Sequence, residues 1–358
     1  MLTGMLLLFG RPAHALGDGA CSVWLPPEMM GSVERSDLDE ASGLVISAVN
    51  DGVLWSHNDS GDDAVIYGMK EDGTDLGSYS VRRAENQDWE DLAAGPCPDD
   101  PGCSCLYAGD IGNNDGSRPE GEIYRFLEPD LADSDRVGKA ETLAFQYPSG
   151  RWDAEALAVD PATGAVFIIT KNPDGPAGVY TFPEAPVLAH DADDPETLEL
   201  VTTLDLDALG ATDIAVTGAS ASPGGLRVAL RTAKDLLVFS APEGGTLADA
   251  WTETPAILPM PDSPDGEAVA FAPDGASLTV LGEGQHATLW ETRCASLTPT
   301  TESLPEAPTA CPVPGCGCAQ GQGRDPILGS GLALAFALGR RRRLAQPSSL
   351  TPGRGRRA

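Results

Sequence analysis

The chain has 358 residues, 41 glycines, 30 prolines, few aromatic side chains (6%) and a formal charge of −31. Eight of its 23 basic residues follow residue 323, where Asp325 is the lone acid, so residues 1–323 carry 15 basic against 53 acidic side chains. A body that negative repels phosphate backbones and anionic lipid headgroups, which excludes nucleic acid as a partner and favours multivalent cations or basic groups.

At the start, the apolar run Met5 to Phe9 precedes Ala13-His14-Ala15, a small-x-small pattern, and residues 1–15 read as a signal peptide. No basic residue precedes that run. Eight cysteines beside four scattered histidines fit disulfides in an oxidising compartment better than a zinc site. Cys97, Cys103 and Cys105 crowd one loop, where at most one pair can form among them.

From residue 16 to residue 294 the chain repeats one grammar five times: a small or acidic start, an apolar strand, a turn, a second strand and a third. The starts are Ser42, Glu90, Glu155, Thr217 and Glu267, spaced 48, 65, 62 and 50 residues apart. Hairpin turns stand at Asp160-Pro-Ala-Thr-Gly164, Ser222-Pro-Gly-Gly225 and Ala272-Pro-Asp-Gly275. Second strands follow at Val53, Leu106, Val166, Arg227 and Leu278, and third strands at Val65, Glu122, Gly178, Leu237 and Thr288. No long amphipathic helix interrupts them. The fold class is therefore all-β, a single β-propeller of five four-stranded blades, or six if the long second or third repeat hides one. The fifth repeat meets a linker before its fourth strand, so the segment from Val23 to Ser36 is expected to supply that strand, with Cys21–Cys294 stapling the closure.

Residues 295–326 are rich in Pro, Thr, Gly and Ser and read as a linker carrying the cluster Cys311, Cys316 and Cys318. The apolar run from Ile327 to Gly339 precedes Arg340 to Arg343, and residues 344–358 read as a disordered tail. Thirteen helical residues span about 20 Å, short of the roughly 30 Å hydrocarbon core. The order of residues 311–343, a Gly-Cys-Gly-Cys cluster, a short apolar helix and an arginine cluster, resembles the myxobacterial-type C-terminal sorting signal MYXO-CTERM. The resemblance implies cleavage near the cysteines and delivery to the outer surface, so the chain is expected to be exported, touching membrane only through its processing signals. Such tails normally stop soon after the arginines, whereas this chain runs on to Ala358.

In a propeller the first strand of a blade begins, and the second ends, on the same face. The starts and the ends (His57-Asn58-Asp59, Asp110 with Asn113, Thr170-Lys171, Arg231 and Glu283) are thus expected to converge on one mouth of the central channel. Like charges about 4 Å apart repel by roughly 4 kcal/mol at an effective dielectric of 20, so three glutamates there require protons, a cation or counter-ions. Oxygen donors point to calcium, with Glu90, Glu155, Glu267, Asn58 and Asp110 as candidate ligands. A salt-bridge network stitching the blades is the structural alternative. The phrases Asp88-Trp89-Glu90-Asp91, Gly109-Asp110-Ile-Gly-Asn113-Asn114 and His57-Asn58-Asp59-Ser-Gly-Asp62, with Val216-Thr217-Gly and Ala229-Leu-Arg231-Thr232, resemble a secreted bacterial propeller family of unknown function over residues 38–294. That family offers no established catalytic residues to transfer.

Two functions follow from the residues. The first is a monomeric surface propeller that binds a ligand or partner through an acidic, calcium-loaded mouth. The second is a calcium-dependent hydrolase of lactonase or phosphoesterase style, with Asp91 or His57 as base and Lys171 and Arg231 holding an anionic group. No Gly-x-Ser-x-Gly elbow, phosphate loop or paired Cys-x-x-Cys motif offers other chemistry.

Overall fold

Strands that are buried at every position, such as Ala154–Val159 and Val166–Thr170, need a neighbour on each face. The computed structural model supplies those neighbours as a ring of antiparallel sheets, and it describes residues 21–132, 137–190, 193–258, 260, 266–295 and 311. The expected signal peptide (1–15), apolar sorting run (327–343) and C-terminal tail (344–358) lie outside the described residues. Among the described residues no helix is long and apolar enough to cross a membrane.

Five sheets form five blades. Their innermost strands are Ala41–Ile46, Trp89–Cys97, Ala154–Val159, Val216–Ala221 and Gly266–Phe271. Each begins at or next to a start read from the sequence, and the expected second and third strands follow it in each blade. Turn glycines 164, 225 and 275 take positive φ, and their amides bond back to Asp160, Ser222 and Ala272. The sixth blade does not exist among the described residues. The extra length of the third repeat is an excursion after Phe182 that reaches back to blade two, where Glu196–Thr197 adds a short parallel strand beside Glu141–Gln146.

The core is divided as a propeller requires, with one cluster at each junction between blades. Trp55 and Ile66 meet Leu106 and Tyr124 between blades one and two. Tyr107 and Ile123 meet Ile168 and Val159 between two and three, and Phe167 and Ile169 meet Leu230 and Leu237 between three and four. Val238 meets Val280 between four and five, and Leu281 meets Leu44 between five and one. Alternation of side chains along a strand explains the split: Ala156 and Ala158 feed one junction, Leu157 and Val159 the other.

Blade five is closed by both ends of the body. Glu28–Ser32 pairs antiparallel with Thr288–Arg293, supplying the missing fourth strand. Cys21 and Cys294 are disulfide-bonded beside it, as expected from their flanking positions. Of the crowded cysteines, Cys97 pairs with Cys105, and Cys103 pairs with Cys311. The last bond adds something the linker reading lacked, because it fastens residue 311 back onto blade two. Three disulfides place the folded chain in an oxidising environment.

Candidate functional site

The five starts share a local geometry that composition does not show. In each innermost strand the pairing register slips by one residue near its beginning, between Ala41 and Leu44, Trp89 and Asp91, Ala154 and Ala156, Val216 and Gly218, and Gly266 and Ala268. The residues released from the ladder are Ser42 with Gly43, Glu90, Glu155, Thr217 and Glu267. A bulge frees a side chain from the alternation of its strand and re-aims it. At the same end, Ala41 pairs with Asn58, Trp89 with Asp110, Ala154 with Thr170 and Val216 with Thr232, so starts and second-strand ends do share one face.

The bulged residues divide by chemistry. Ser42 and Thr217 turn sideways, donating to the backbone carbonyls of Glu90 and, at 2.9 Å, Gly266 on adjacent blades. The glycines that follow allow this approach: a Cβ on Gly43 would collide with Leu92 N, and one on Gly218 would lie 2.6 Å from Glu267 O. The three glutamates remain free to face one another. Below them, Asp91 fills the axis where the other blades offer Gly43, Ala156, Gly218 and Ala268. Its carboxylate accepts from Leu92 N (2.8 Å), Leu157 N (2.8 Å) and Ala219 N (2.9 Å), joining blades two, three and four.

Around Glu90 the carboxylates crowd. Single oxygens of Asp59, Asp88 and Glu90 lie within 4.8 Å of one another, and so do those of Glu90, Asp153 and Glu155. Glu90 belongs to both groups. Its side chain is only 2% exposed and its Oε1 has no hydrogen-bond partner. Burial, reinforced by Glu155, Asp59 and Asp88, pushes its carboxyl strongly upward. Burial also raises Glu155, whose Oε1 accepts from Lys171 Nζ at 2.6 Å, a pair that opposes the rise. Glu267 is pushed up to about 8 by burial and by Glu155 and Glu283. Asp59 and Asp88 shift upward too, both chiefly through burial.

Not every expected ligand joins this cluster. Asn58 turns outward: it donates to Asp37 O (2.7 Å) and Asp62 Oδ2 (2.8 Å), beside a recess of about 530 Å³ lined by Asp37, Asp39, Glu40, Asp62 and Tyr67. Asp110 is held by Arg118 at 2.6 Å and by the amides of Gln87 and Asp88. Its burial raises it while Arg118 pulls it down. His57 lies inside the blade, edge-on to Trp89, with Nδ1 on Asn58 O at 2.8 Å; burial lowers it to about 4, which keeps it neutral. Arg231 is 1% exposed and faces Glu267 and Asp235. Conversely, Asp59, Asp88 and Asp153 stand in the cluster without having been singled out as ligands. The signal was present: an acid two residues before the bulged glutamate, in Asp88-x-Glu90, Asp153-x-Glu155 and Asp265-x-Glu267. Asp265 lies outside the described residues.

A raised carboxyl pKa means the folded state binds a proton that the unfolded chain, titrating near 4.5, releases. The stability so carried is complete below that value and is lost as pH rises through about 8 for Glu267. In a metal-free buffer the melting midpoint should therefore fall between about pH 5 and about pH 9. The double variant Glu155→Gln with Glu267→Gln should flatten that slope, and an unchanged slope would show that the cluster does not set it.

No family model and no curated protein matches the sequence. Solved structures do resemble it. The PQQ-bound aldose sugar dehydrogenase of Streptomyces coelicolor is 12% identical over 76% of this chain and 99% of its own, with a TM-score of 0.43. An oxidoreductase described as a glucose dehydrogenase, from Thermus thermophilus, is 14% identical over 75% of this chain and 99% of its own, at 0.40. A chain of the nidogen/laminin complex is 13% identical over 68% of this chain and 73% of its own, also at 0.40. The likeness is one of fold, and the chemistry of the mouth has to be read from its own residues.

Proposed function

We propose that this protein is an exported propeller that holds a divalent cation, calcium by its donor set, at Glu90, and binds a ligand through the loaded mouth. The observation that carries this reading is the Glu90 carboxylate: almost fully buried, unpartnered at Oε1, and shared by two triads of carboxylate oxygens. A buried charge without a partner is costly, and a cation removes the cost for all five acids together. The donors Asp59, Asp88, Glu90, Asp153 and Glu155 are all hard oxygens, which suits calcium at six to eight ligands and disfavours zinc or copper. Lys171 on Glu155 would balance part of the charge while the cation is absent.

Binding is favoured over hydrolysis by the state of the two candidate bases. Asp91 is fully buried with its oxygens on three amides, and His57 is fully buried and held neutral. Neither faces the space where a cation-polarised substrate would sit. Export and surface display rest on the two terminal signals, with the disulfides in agreement.

Calcium at about 100 times its dissociation constant adds roughly 2.7 kcal/mol, which for a body this size should raise the melting midpoint by about 5 °C over a chelator control. Glu90→Gln should be more stable than wild type in chelator, because it removes the cost of burying or neutralising that carboxyl, and should lose most of the calcium shift. A wild-type protein whose midpoint ignores calcium would overturn the cation site.

A further inference from the structure

Beside the acidic half of the mouth stands a basic side chain whose Nε and Nη1 have no hydrogen-bond partner among the described residues. Arg231 ends the second strand of blade four, opposite Gly218, next to the bulged Thr217. It is 1% exposed, yet its Nε and Nη1 have no hydrogen-bond partner. Its guanidinium passes so close to blade five that a Cβ on Gly266 would collide with Nη2, so a glycine there leaves it room. The nearby acids do not satisfy it. Asp235 is taken by the amides of Thr212 (2.7 Å) and Asp213 (2.8 Å) and by the Thr212 hydroxyl. Glu267 and Arg231 feel each other's charge, but no ion pair joins them among the described residues. Lys171, the other cation of this half, is committed to Glu155.

Buried guanidinium groups are ordinarily paired, and each orphaned buried donor is a cost to the fold. We infer that Arg231 is the anchor for the carboxylate of a small organic acid, which enters between blades four and five while its other oxygens reach the cation at Glu90. This deepens the reading above and rests on it for the cation half only. The choice of a monoanion follows from the surroundings. One guanidinium, without an ion pair among the described residues, sits near Glu267 and Asp235 on a strongly acidic body, so a phosphate dianion meets about twice the repulsion. The planar fork of arginine suits a carboxylate, and exclusion from water strengthens the contact.

The test uses glycolate, a carboxylate with an adjacent hydroxyl, against inorganic phosphate and against sodium chloride at equal ionic strength. On the calcium-loaded protein, glycolate should give saturable heat by calorimetry and shift the side-chain Nε–H resonance of Arg231, while phosphate and chloride should not. Arg231→Gln should lose about tenfold or more in glycolate affinity, and Arg231→Lys should retain part of it. Absence of a saturable glycolate effect in wild type, tighter binding of phosphate, or full affinity in a folded Arg231→Gln would each overturn the inference. If Arg231→Gln does not fold, the wild-type resonance decides alone. A calcium-dependent melt without a glycolate response would sink only this inference. Glycolate binding that is indifferent to calcium, in a protein whose melt also ignores calcium, would keep the arginine anchor and sink the cation.

Discussion

Asp91→Ala is expected to be among the most damaging single substitutions in the body. The side chain is fully buried on the axis and accepts from the amides of Leu92, Leu157 and Ala219, so its loss orphans three donors on three innermost strands. At 1–3 kcal/mol for each unsatisfied buried donor, the cost should be about 4 kcal/mol or more, lowering the melting midpoint by at least about 7 °C. A cavity at the axis adds to it. Burial pushes the Asp91 carboxyl well above its ordinary range, while the hydrogen bonds from the three amides oppose the rise. Asparagine keeps the shape and can set its one oxygen on the amides of Leu157 and Ala219, leaving only the Leu92 amide without an acceptor, so Asp91→Asn should cost clearly less than alanine. Urea unfolding of the three proteins, compared at equal m-values, measures the order. Equal stability of wild type and Asp91→Ala would mean that water enters the axis and takes over the amides, and that the ring is held by its blade junctions alone.

The contrast between Asp91 and its neighbour Glu90 shows what the sequence could and could not disclose. Both belong to one acidic phrase, and the repeat register correctly puts that phrase at the mouth of the channel. The blades were legible because each strand carries its own apolar pattern and each hairpin its own turn residues, as at Asp160 to Gly164. Closure was legible from what the fifth repeat lacked. The bulges were not, because a one-residue slip is a property of two paired strands and leaves no mark on either alone. That slip decides that Glu90 faces the axis from above while Asp91 seals it from below. The partners of Asn58 and Asp110 were hidden for a related reason: strand position fixes the end of the blade a residue occupies, not the neighbour its side chain takes. Asp62 and Arg118 lie outside the paired strands that fixed the register, and they capture these two side chains. His57 was placed at the mouth as the end of a second strand, and it does stand near that end, but its ring is buried against Trp89. Asp153, by contrast, was recoverable, since the acid-x-Glu pattern recurs in three blades.

Replacing Cys21 and Cys294 together by serine is expected to produce the other large effect, and to show where the ring opens. The bond joins residues 273 apart, so in the chain-entropy account it restrains the unfolded chain by about 5 kcal/mol. Cys97–Cys105, only 8 residues apart, should contribute about half as much by the same relation. The two losses should also differ in kind. Cys97 and Cys105 lie within one continuous hairpin, whose ladder persists without them. Cys21 and Cys294 hold together the two ends of the body, where the closing strand Glu28–Ser32 has one partner, Thr288–Arg293, and the Trp24–Cys294 bridge and the Leu25 amide on Arg293 O extend it. Most of that strand is half-buried or exposed, with Met30 packed against the junction of blades five and one. Its grip without the disulfide is therefore modest. Hydrogen exchange of the double serine variant should show early loss of protection in Glu28–Ser32 and Thr288–Arg293, before blades two and three open. A uniform loss across all five blades would instead mean that the ring unfolds as one cooperative unit, with the staple acting only on the unfolded chain. Retention of wild-type stability would place the closure in strand pairing and in the packing of Trp24 and Trp290 against blades four and five.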